Sequence, residues 1–239
     1  MNEYNMERFL ENCLQLNISL NEEQKIKLQK YYEILVQWNT FMNLTAITEY
    51  GDVLKKHFLD SLSLIKVADL GEEAKILDVG TGAGFPGIPL KIAFPHLQIV
   101  LLDSLGKRVK FLDHVIEELK LERINAIHGR AEDFARNMQY RESFDYVVSR
   151  AVANLSSLSE YCIPYVKTGG YFVSYKSGNV DIELQESRNA IKILGGAVEN
   201  IVRFTLADTE ERTFICIKKI RKTEDKYPRK AGIPSRNPL

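Results

Sequence analysis

The chain is poor in the features that mark secreted, membrane or metal-built proteins. Its three cysteines, Cys13, Cys162 and Cys216, are far apart and odd in number. That excludes a disulfide framework and a cysteine zinc site, so no metal centre is expected and a reducing cytoplasm is the expected home. No apolar run approaches the ~20 residues of a membrane helix, and no membrane association is expected. The first sixteen residues carry Glu3, Glu7 and Glu11 without an apolar block, unlike a secretory leader. Net charge is absent too, since 32 Lys+Arg balance 32 Asp+Glu. What is present is the ordinary balance of a globular protein, 45% hydrophobic and 27% charged, which excludes disorder of the whole chain.

The charge balance hides an asymmetry. From Lys218 to Leu239 there are eight basic residues against two acidic ones, a net of +6, so the body carries −6. A basic tail on an acidic body points to a polyanionic partner or, more simply, to a solubilising tail. At 239 residues the chain suits one full domain plus an extension.

Three regions separate. Residues 1–70 read as a helical extension. Ser19-Leu20-Asn21-Glu22 has the form of a capping box. Leu28, Tyr31, Leu35 and Trp38 follow at helical spacing, and Asn43-Leu44-Thr45 closes that helix. A further helix is expected from Asp52 to about Lys66, with Val53, Phe58, Leu62 and Ile65 inward. Residues 71–218 alternate strand and helix. Apolar runs at 76–79, 98–103, 124–128, 144–149 and 171–175 are separated by helical patterns at 86–94, 107–119, 131–138, 155–165 and 181–194. Such alternation implies right-handed crossovers and a parallel sheet with helices on both faces. Two β-rich runs, 198–205 and 212–218, then read as an antiparallel hairpin. Residues 219–239, with Pro228, Pro234 and Pro238 among basic residues, read as an irregular basic arm and not a folded unit.

The chemistry gathers at the strand ends. Asp78-Val79-Gly80-Thr81-Gly82-Ala83-Gly84 follows the first strand and precedes a helix, and glycines there let backbone approach a ligand closely. Gly82-Ala83-Gly84-Phe85-Pro86-Gly87 also fits the dinucleotide pattern. Asp103 closes the second strand, 23 positions after Gly80. It can accept from both ribose hydroxyls of either a dinucleotide or S-adenosylmethionine. Two features favour S-adenosylmethionine. Asp78 suits its cationic amine through water, and Gly129-Arg130-Ala131-Glu132-Asp133 follows the third strand where an adenine is positioned. Glu132 and Asp133 also suit a helix start, Asp133 above all. No hydride-handling site is visible. Five parallel strands closed by a hairpin is likewise the inventory of a Rossmann-like class I S-adenosylmethionine-dependent methyltransferase.

The fourth strand runs into Ser149-Arg150-Ala151-Val152. That is neither the Asn/Asp-Pro-Pro-Tyr/Phe of amine methylases nor a Pro-Cys nucleophile. A guanine N7 needs neither, because its bare lone pair attacks a sulfonium methyl once the two are aligned and water is excluded. No general base is therefore assigned. Arg150 is read as binding the cofactor carboxylate, guanine O6 or a phosphate, with a structural pairing to a nearby carboxylate as the alternative. His57 either contacts cofactor or RNA across the cleft or is a packing histidine. His96, His114 and His128 are scattered, and Trp38 reads as core.

The chain resembles the GidB/RsmG family, the bacterial small-subunit ribosomal RNA guanine-N7 methyltransferases. The resemblance is carried by Trp38-Asn39, Asn43-Leu44-Thr45-Ala46-Ile47, His57-Phe58-Leu59-Asp60-Ser61-Leu62, Asp78 through Pro89, Arg130-Ala131-Glu132, Ser149-Arg150-Ala151, and Tyr227 through Pro234. It spans nearly the whole chain. It implies methyl transfer from S-adenosylmethionine to one guanine of 16S ribosomal RNA near the decoding region where streptomycin acts. The cofactor positions it implies are Gly80, Phe85, Ala131, Glu132 and Arg150. Asp78, Gly82, Gly84 and Asp103 join them from the residue reading. The expected partner is 16S RNA or the small subunit, reached as a monomer, with Lys226, Arg229, Lys230 and Arg236 of the arm on its phosphates. The competing readings are a small-molecule methyltransferase with the N-terminal helices as a lid, and a non-catalytic RNA-binding protein that keeps cofactor binding.

Overall fold

A computed structural model describes residues 5–72, 74–150, 153–207 and 209–239. The extension opens with α1 (Glu7–Gln15) and α2 (Glu22–Met42). The cap of α2 is Asn21 and not Ser19. Asn21 Oδ1 accepts from Gln24 N at 2.9 Å and Gln24 Oε1 accepts from Asn21 N at 2.8 Å. The helix starts at Glu22, so the serine lies too far upstream to reach its first amides. Asn43 ends α2 in the left-handed region at φ 50°. The expected second helix is a composite of α3 (Tyr50–Val53), a π-helical stretch (Leu54–Leu59), α4 (Asp60–Leu62) and a 3-10 turn (Ser63–Lys66). The π-helical stretch, a form frequent at functional sites, contains His57.

The central sheet holds β1 (Lys75–Val79), β2 (Gln98–Asp103), β3 (Ile124–His128), β4 (Phe144–Arg150), β5 (Val166–Lys176), β6 (Gly196–Leu206) and β7 (Glu210–Lys219). Their spatial order is β3-β2-β1-β4-β5-β7-β6. The first five strands are parallel, and β7 runs antiparallel to both β5 and β6. Strand β1 pairs β2 on one side and β4 on the other. The chain order reverses there, and a crevice opens at the carboxyl ends of the strands. Strand β5 starts earlier than its apolar run because Val166 already pairs with Phe144.

The crossovers are α5 (Gly87–Ala93), α6 (Gly106–Glu118), α7 (Ala131–Phe134), α8 (Leu155–Cys162) and α9 (Asp181–Ile193). Helix α7 is shorter than its pattern, and beyond it Asn137 Oδ1 accepts from Gln139 N to form a local turn. The two faces of the sheet carry separate apolar clusters. Ile76, Ile99 and Leu101 pack with Leu28, Leu35, Phe58 and Leu62 of the extension. Leu77, Val79 and Leu102 pack with Leu155, Leu158 and Tyr227 on the other face. Alternate residues of β1 and β2 thus serve opposite layers, as their pleat requires.

The last 21 residues form an irregular arm that is nonetheless packed against the domain. They are irregular apart from Lys219 at the end of β7 and α10 (Ile233–Arg236), yet Thr223, Tyr227, Pro228 and Pro234 are buried. Arg141 donates to the carbonyls of Thr223 and Tyr227, both at 2.9 Å, and Arg136 to that of Pro228 at 2.6 Å. Backbone without a ladder of its own is satisfied here by side chains of the domain.

Candidate functional site

The glycine loop leaves β1 into the crevice. Gly80, Gly82 and Gly84 sit at φ 71°, 63° and 95°, a region that side-chain-bearing residues seldom enter. An added Cβ would meet nothing within 4 Å at Gly82, so that backbone faces open space. At Gly84 it would stand 2.5 Å from Ile88 and 2.9 Å from the Tyr31 hydroxyl, so that glycine serves packing against the extension.

Two carboxylates hold the loop. Asp78 is fully buried; its Oδ2 accepts from Thr81 Oγ1 at 2.6 Å and Gly87 N at 2.9 Å, and its Oδ1 has no partner. Burial raises its pKa to about 6, against the opposing pull of those two hydrogen bonds. Asp103 accepts from Gly82 N and Leu105 N, both at 2.9 Å, and faces Arg108 at 3.4 Å. It thereby ties the loops after β1 and β2 together. A carboxylate has roughly four acceptor positions, so ribose hydroxyls remain within its capacity.

A cavity of about 370 Å³ opens beside these loops. Gly80, Leu105 and Glu132 line its sheet side, and Tyr161, Gly232 and Ser235 line the other. Its volume lies within the roughly 300–1,000 Å³ of small-molecule pockets. Gly82, Asp78 and Asp103 lie outside this cavity's lining, but the open backbone at Gly82 and the buried, unpartnered Asp78 Oδ1 on the adjoining loop fit a ligand with a nucleoside half and a cationic half. Ala131 also lines the cavity, while its carbonyl accepts from Tyr165 Oη at 2.6 Å. Glu132 Oε1 accepts from Gly232 N at 2.9 Å, so one of its oxygens is engaged by the arm.

At the end of β4, Arg150 enters a cluster supplied by the extension. Its Nη1 donates to Asp60 Oδ2 at 2.8 Å, its Nη2 to His57 Nδ1 at 3.1 Å, and its guanidinium lies 5.0 Å over the Phe85 ring. His57 stacks on that same ring at 4.4 Å. Arginine cannot accept a hydrogen bond, so His57 Nδ1 is the bare nitrogen and Nε2–H donates to Thr45 Oγ1 at 2.8 Å. Burial, helped by the Arg150 charge, lowers the His57 pKa to about 3. The histidine is neutral and both ring nitrogens are occupied. Asp60 also accepts from Arg212 Nε at 2.7 Å and so bridges two arginines. Ala151 and Val152, which follow Arg150, lie outside the described residues. Arg150 thus makes the structural pairing with a nearby carboxylate that the sequence offered as the alternative.

Asp60 and Tyr31 acquire roles that their patterns had hidden. Asp60 is three positions after His57 on one helix, a spacing that places both on one face. Tyr31 was legible only as an inward residue, yet its hydroxyl donates to the Ala83 carbonyl inside the glycine loop. Burial holds that phenol protonated.

The four arm cations expected on RNA phosphates separate into different environments. Arg229 is engaged with Glu160, which is fully buried: Nη2 donates to Oε2 at 2.7 Å and the backbone N to Oε1 at 2.7 Å. Lys226 is exposed but pairs with Glu224 at 2.8 Å. Lys230 and Arg236 are exposed and border Gly232 and Ser235 of the cavity wall. Arg229 is thus committed internally, in contrast to the phosphate role its sequence suggested. Among the described residues no cluster of His, Cys, Asp and Glu is placed to hold a metal, and no helix is long and apolar enough to cross a membrane.

Comparison with known proteins bears on the family and the fold. The family model described as rRNA small subunit methyltransferase G matches residues 24–214. A protein of Lachnoclostridium phytofermentans named ribosomal RNA small subunit methyltransferase G is 55% identical over 232 residues, 97% of this chain and 96% of that one. A protein of Clostridium kluyveri with the same name is 54% identical, covering 95% of each chain. Among solved structures, TrmN from Thermus thermophilus superposes with TM-score 0.52 at 15% identity, over 70% of this chain and 53% of that one. M. jannaschii TYW2, solved in complex with AdoMet, gives TM-score 0.51 at 12% identity, over 63% and 71%. At such identities these two structures speak for the fold alone.

Proposed function

The chain belongs to the rRNA small subunit methyltransferase G family, an S-adenosylmethionine-dependent methyltransferase family, and from that premise we propose that it methylates N7 of a guanine in 16S ribosomal RNA. S-adenosylmethionine, when bound, supplies an activated sulfonium methyl. The protein supplies placement. The bare backbone at Gly80 and Gly82 admits close approach of the donor, and Asp103 offers acceptors to ribose hydroxyls. Glu132 and Ala131 border the base side, and Asp78 provides negative charge beneath the cationic side.

The observation that supports the N7 reading is that the two candidate proton acceptors of the β4-end cluster, His57 and Asp60, are both committed. His57, with a pKa of about 3 and both nitrogens engaged, is no proton acceptor at neutral pH. Asp60 is neutralised between Arg150 and Arg212. A ring nitrogen with a free lone pair reacts by alignment alone, whereas an exocyclic amine must shed a proton. Arg150 is suited to guanine O6, a phosphate or the donor's carboxylate. The RNA presents its base out of the stack, and the exposed cations Lys230 and Arg236 meet phosphates near the cavity mouth. A ribosomal RNA substrate sets the reaction in the cytoplasm.

The test is transfer of labelled methyl from S-adenosylmethionine to ribosomal RNA, with 7-methylguanosine mapped in RNA from cells with and without the protein. One guanine that loses the mark in its absence is the expected outcome. Label in a metabolite instead would identify a small-molecule enzyme, and no transfer to any acceptor a binding protein.

A further inference from the structure

We propose that the C-terminal segment 229–237 is the outer wall of the cofactor cavity, and that Arg229 and Glu160 are positioning residues for donor binding rather than part of the RNA surface. The inference rests on the reading of the cavity as the donor's nucleoside site.

Glu160 lies on α8 with no exposed surface. A carboxylate so placed demands full compensation. Arg229 provides it with its backbone amide, its Nε at 3.0 and 3.1 Å from the two oxygens, and its Nη2. The same guanidinium donates to the Asn237 carbonyl at 2.8 Å, closing 229–237 into a loop clasped at both ends. Within the loop, Ser157 of α8 donates to the Pro234 carbonyl at 2.7 Å. The loop then presents Gly232 and Ser235 to the cavity.

The contact that matters for the donor is Gly232 N on Glu132 Oε1. Glu132 opens α7 at the end of the β3 loop and is buried. With one oxygen held by the loop, its carboxylate has a defined orientation and its remaining acceptor positions are presented in a fixed direction. Gly232 sits at φ 81°, in the left-handed region that suits glycine, so the amide is aimed by the backbone itself. If Arg229 lets go, the loop loses its clasp, Glu132 loses its partner and one wall of the cavity opens. The Nε and Nη2 hydrogens that hold Glu160 and Asn237 are not available to RNA phosphates while the clasp is closed. Of the four arm cations expected to meet RNA, Lys230 and Arg236 are the exposed ones with no carboxylate pair among the described residues.

The experiment uses full-length protein and S-adenosylhomocysteine as probe. Calorimetry on wild type, Arg229→Met and Arg229→Lys is paired with RNA binding across salt concentrations and with thermal unfolding. Arg229→Met should weaken binding of the probe by about tenfold, the loss expected for one charge-assisted contact to a carboxylate. Arg229→Lys, which keeps the charge, should recover part of it. The salt slope of RNA affinity should be the same in all three. Hydrogen exchange on wild type gives a readout that needs no variant: amides of 229–237 should exchange more slowly once the probe is bound. Unchanged exchange in that segment, or equal probe affinity in wild type and Arg229→Met, overturns the proposal while leaving the methyltransferase reading intact. Failure of wild type to bind the probe at all overturns both. A flattened RNA salt slope in Arg229→Met with unaltered probe affinity returns Arg229 to the RNA surface and also overturns it.

Discussion

The N-terminal extension and the C-terminal arm cover opposite faces of one sheet and reach the same crevice by different physics. The extension is welded on by apolar side chains: Leu28, Leu35, Phe58 and Leu62 are fully buried in continuity with β1 and β2. Each such side chain contributes about 1.5–3 kcal/mol of burial, with no requirement for direction. The arm has few apolar anchors, chiefly Tyr227 and Pro234, and is held by side chains bonded to its carbonyls and by the buried ion pairs Lys219–Glu142 and Arg229–Glu160. Those contacts are directional and each contributes modestly. The extension therefore behaves as part of the core, and the arm as a fitted wall that polar geometry keeps in register.

The largest expected effect strikes the polar seam of the extension. Asp60→Ala strips a carboxylate from between Arg150 and Arg212, both largely buried, and should cost about 3–5 kcal/mol in a denaturant unfolding measurement. A loss near zero would mean that the seam is solvated and that apolar contacts alone hold the extension. Tyr31→Phe is gentler. It leaves the Ala83 carbonyl short of a donor in a buried site and should cost about 1–3 kcal/mol, with weaker donor binding as the glycine loop loosens. Full affinity in that variant would separate the extension from the cofactor site.

Acidification sharpens the comparison next. Burial lowers His57 from 6.5 to about 3, so between those values the unfolded chain binds a proton that the folded chain refuses. Its contribution to stability is complete above pH ~6.5 and lost as pH falls toward about 3. Asp78, raised from 3.8 to about 6, works the other way: its contribution is complete below about 3.8 and is lost as pH rises through about 6. The stability of wild type should fall more steeply than that of His57→Gln between about pH 6.5 and 4. Parallel curves would reject the buried neutral imidazole. The smallest effect on folding belongs to the arm's outer face. Neutralising Lys230 and Arg236 together should leave unfolding unchanged and reduce the salt slope of RNA affinity by about 1.4–1.8. An unchanged slope would make these cations mere solubilisers.

Much of this was legible along the chain. The alternation of apolar runs and helical periods gave the parallel sheet and the terminal hairpin, because buried strands must be apolar on both faces. Gly80 and Glu132 line one cavity at the carboxyl ends of the strands, where topology brings such ends together, whereas Arg150 joins Asp60, His57 and Phe85 in a separate cluster at the end of β4. Other features had no linear signal. The Asn21 cap competes with Ser19 in sequence, and only the helix start decides between them. Arg229 looks like its basic neighbours until the carboxylate that claims it, 69 positions earlier, is seen beside it. A basic residue advertises charge, not its partner.

By itself the sequence determined where apolar faces lie, which loops carry glycine and which strand ends carry polar chemistry, since these follow from local periodicity and backbone sterics. Only the tertiary structure decided which charges meet. It set Asp60 between two arginines, fixed the bare nitrogen of His57 and turned Arg229 inward. Pairing depends on distance and desolvation, and both come into being only when remote segments pack.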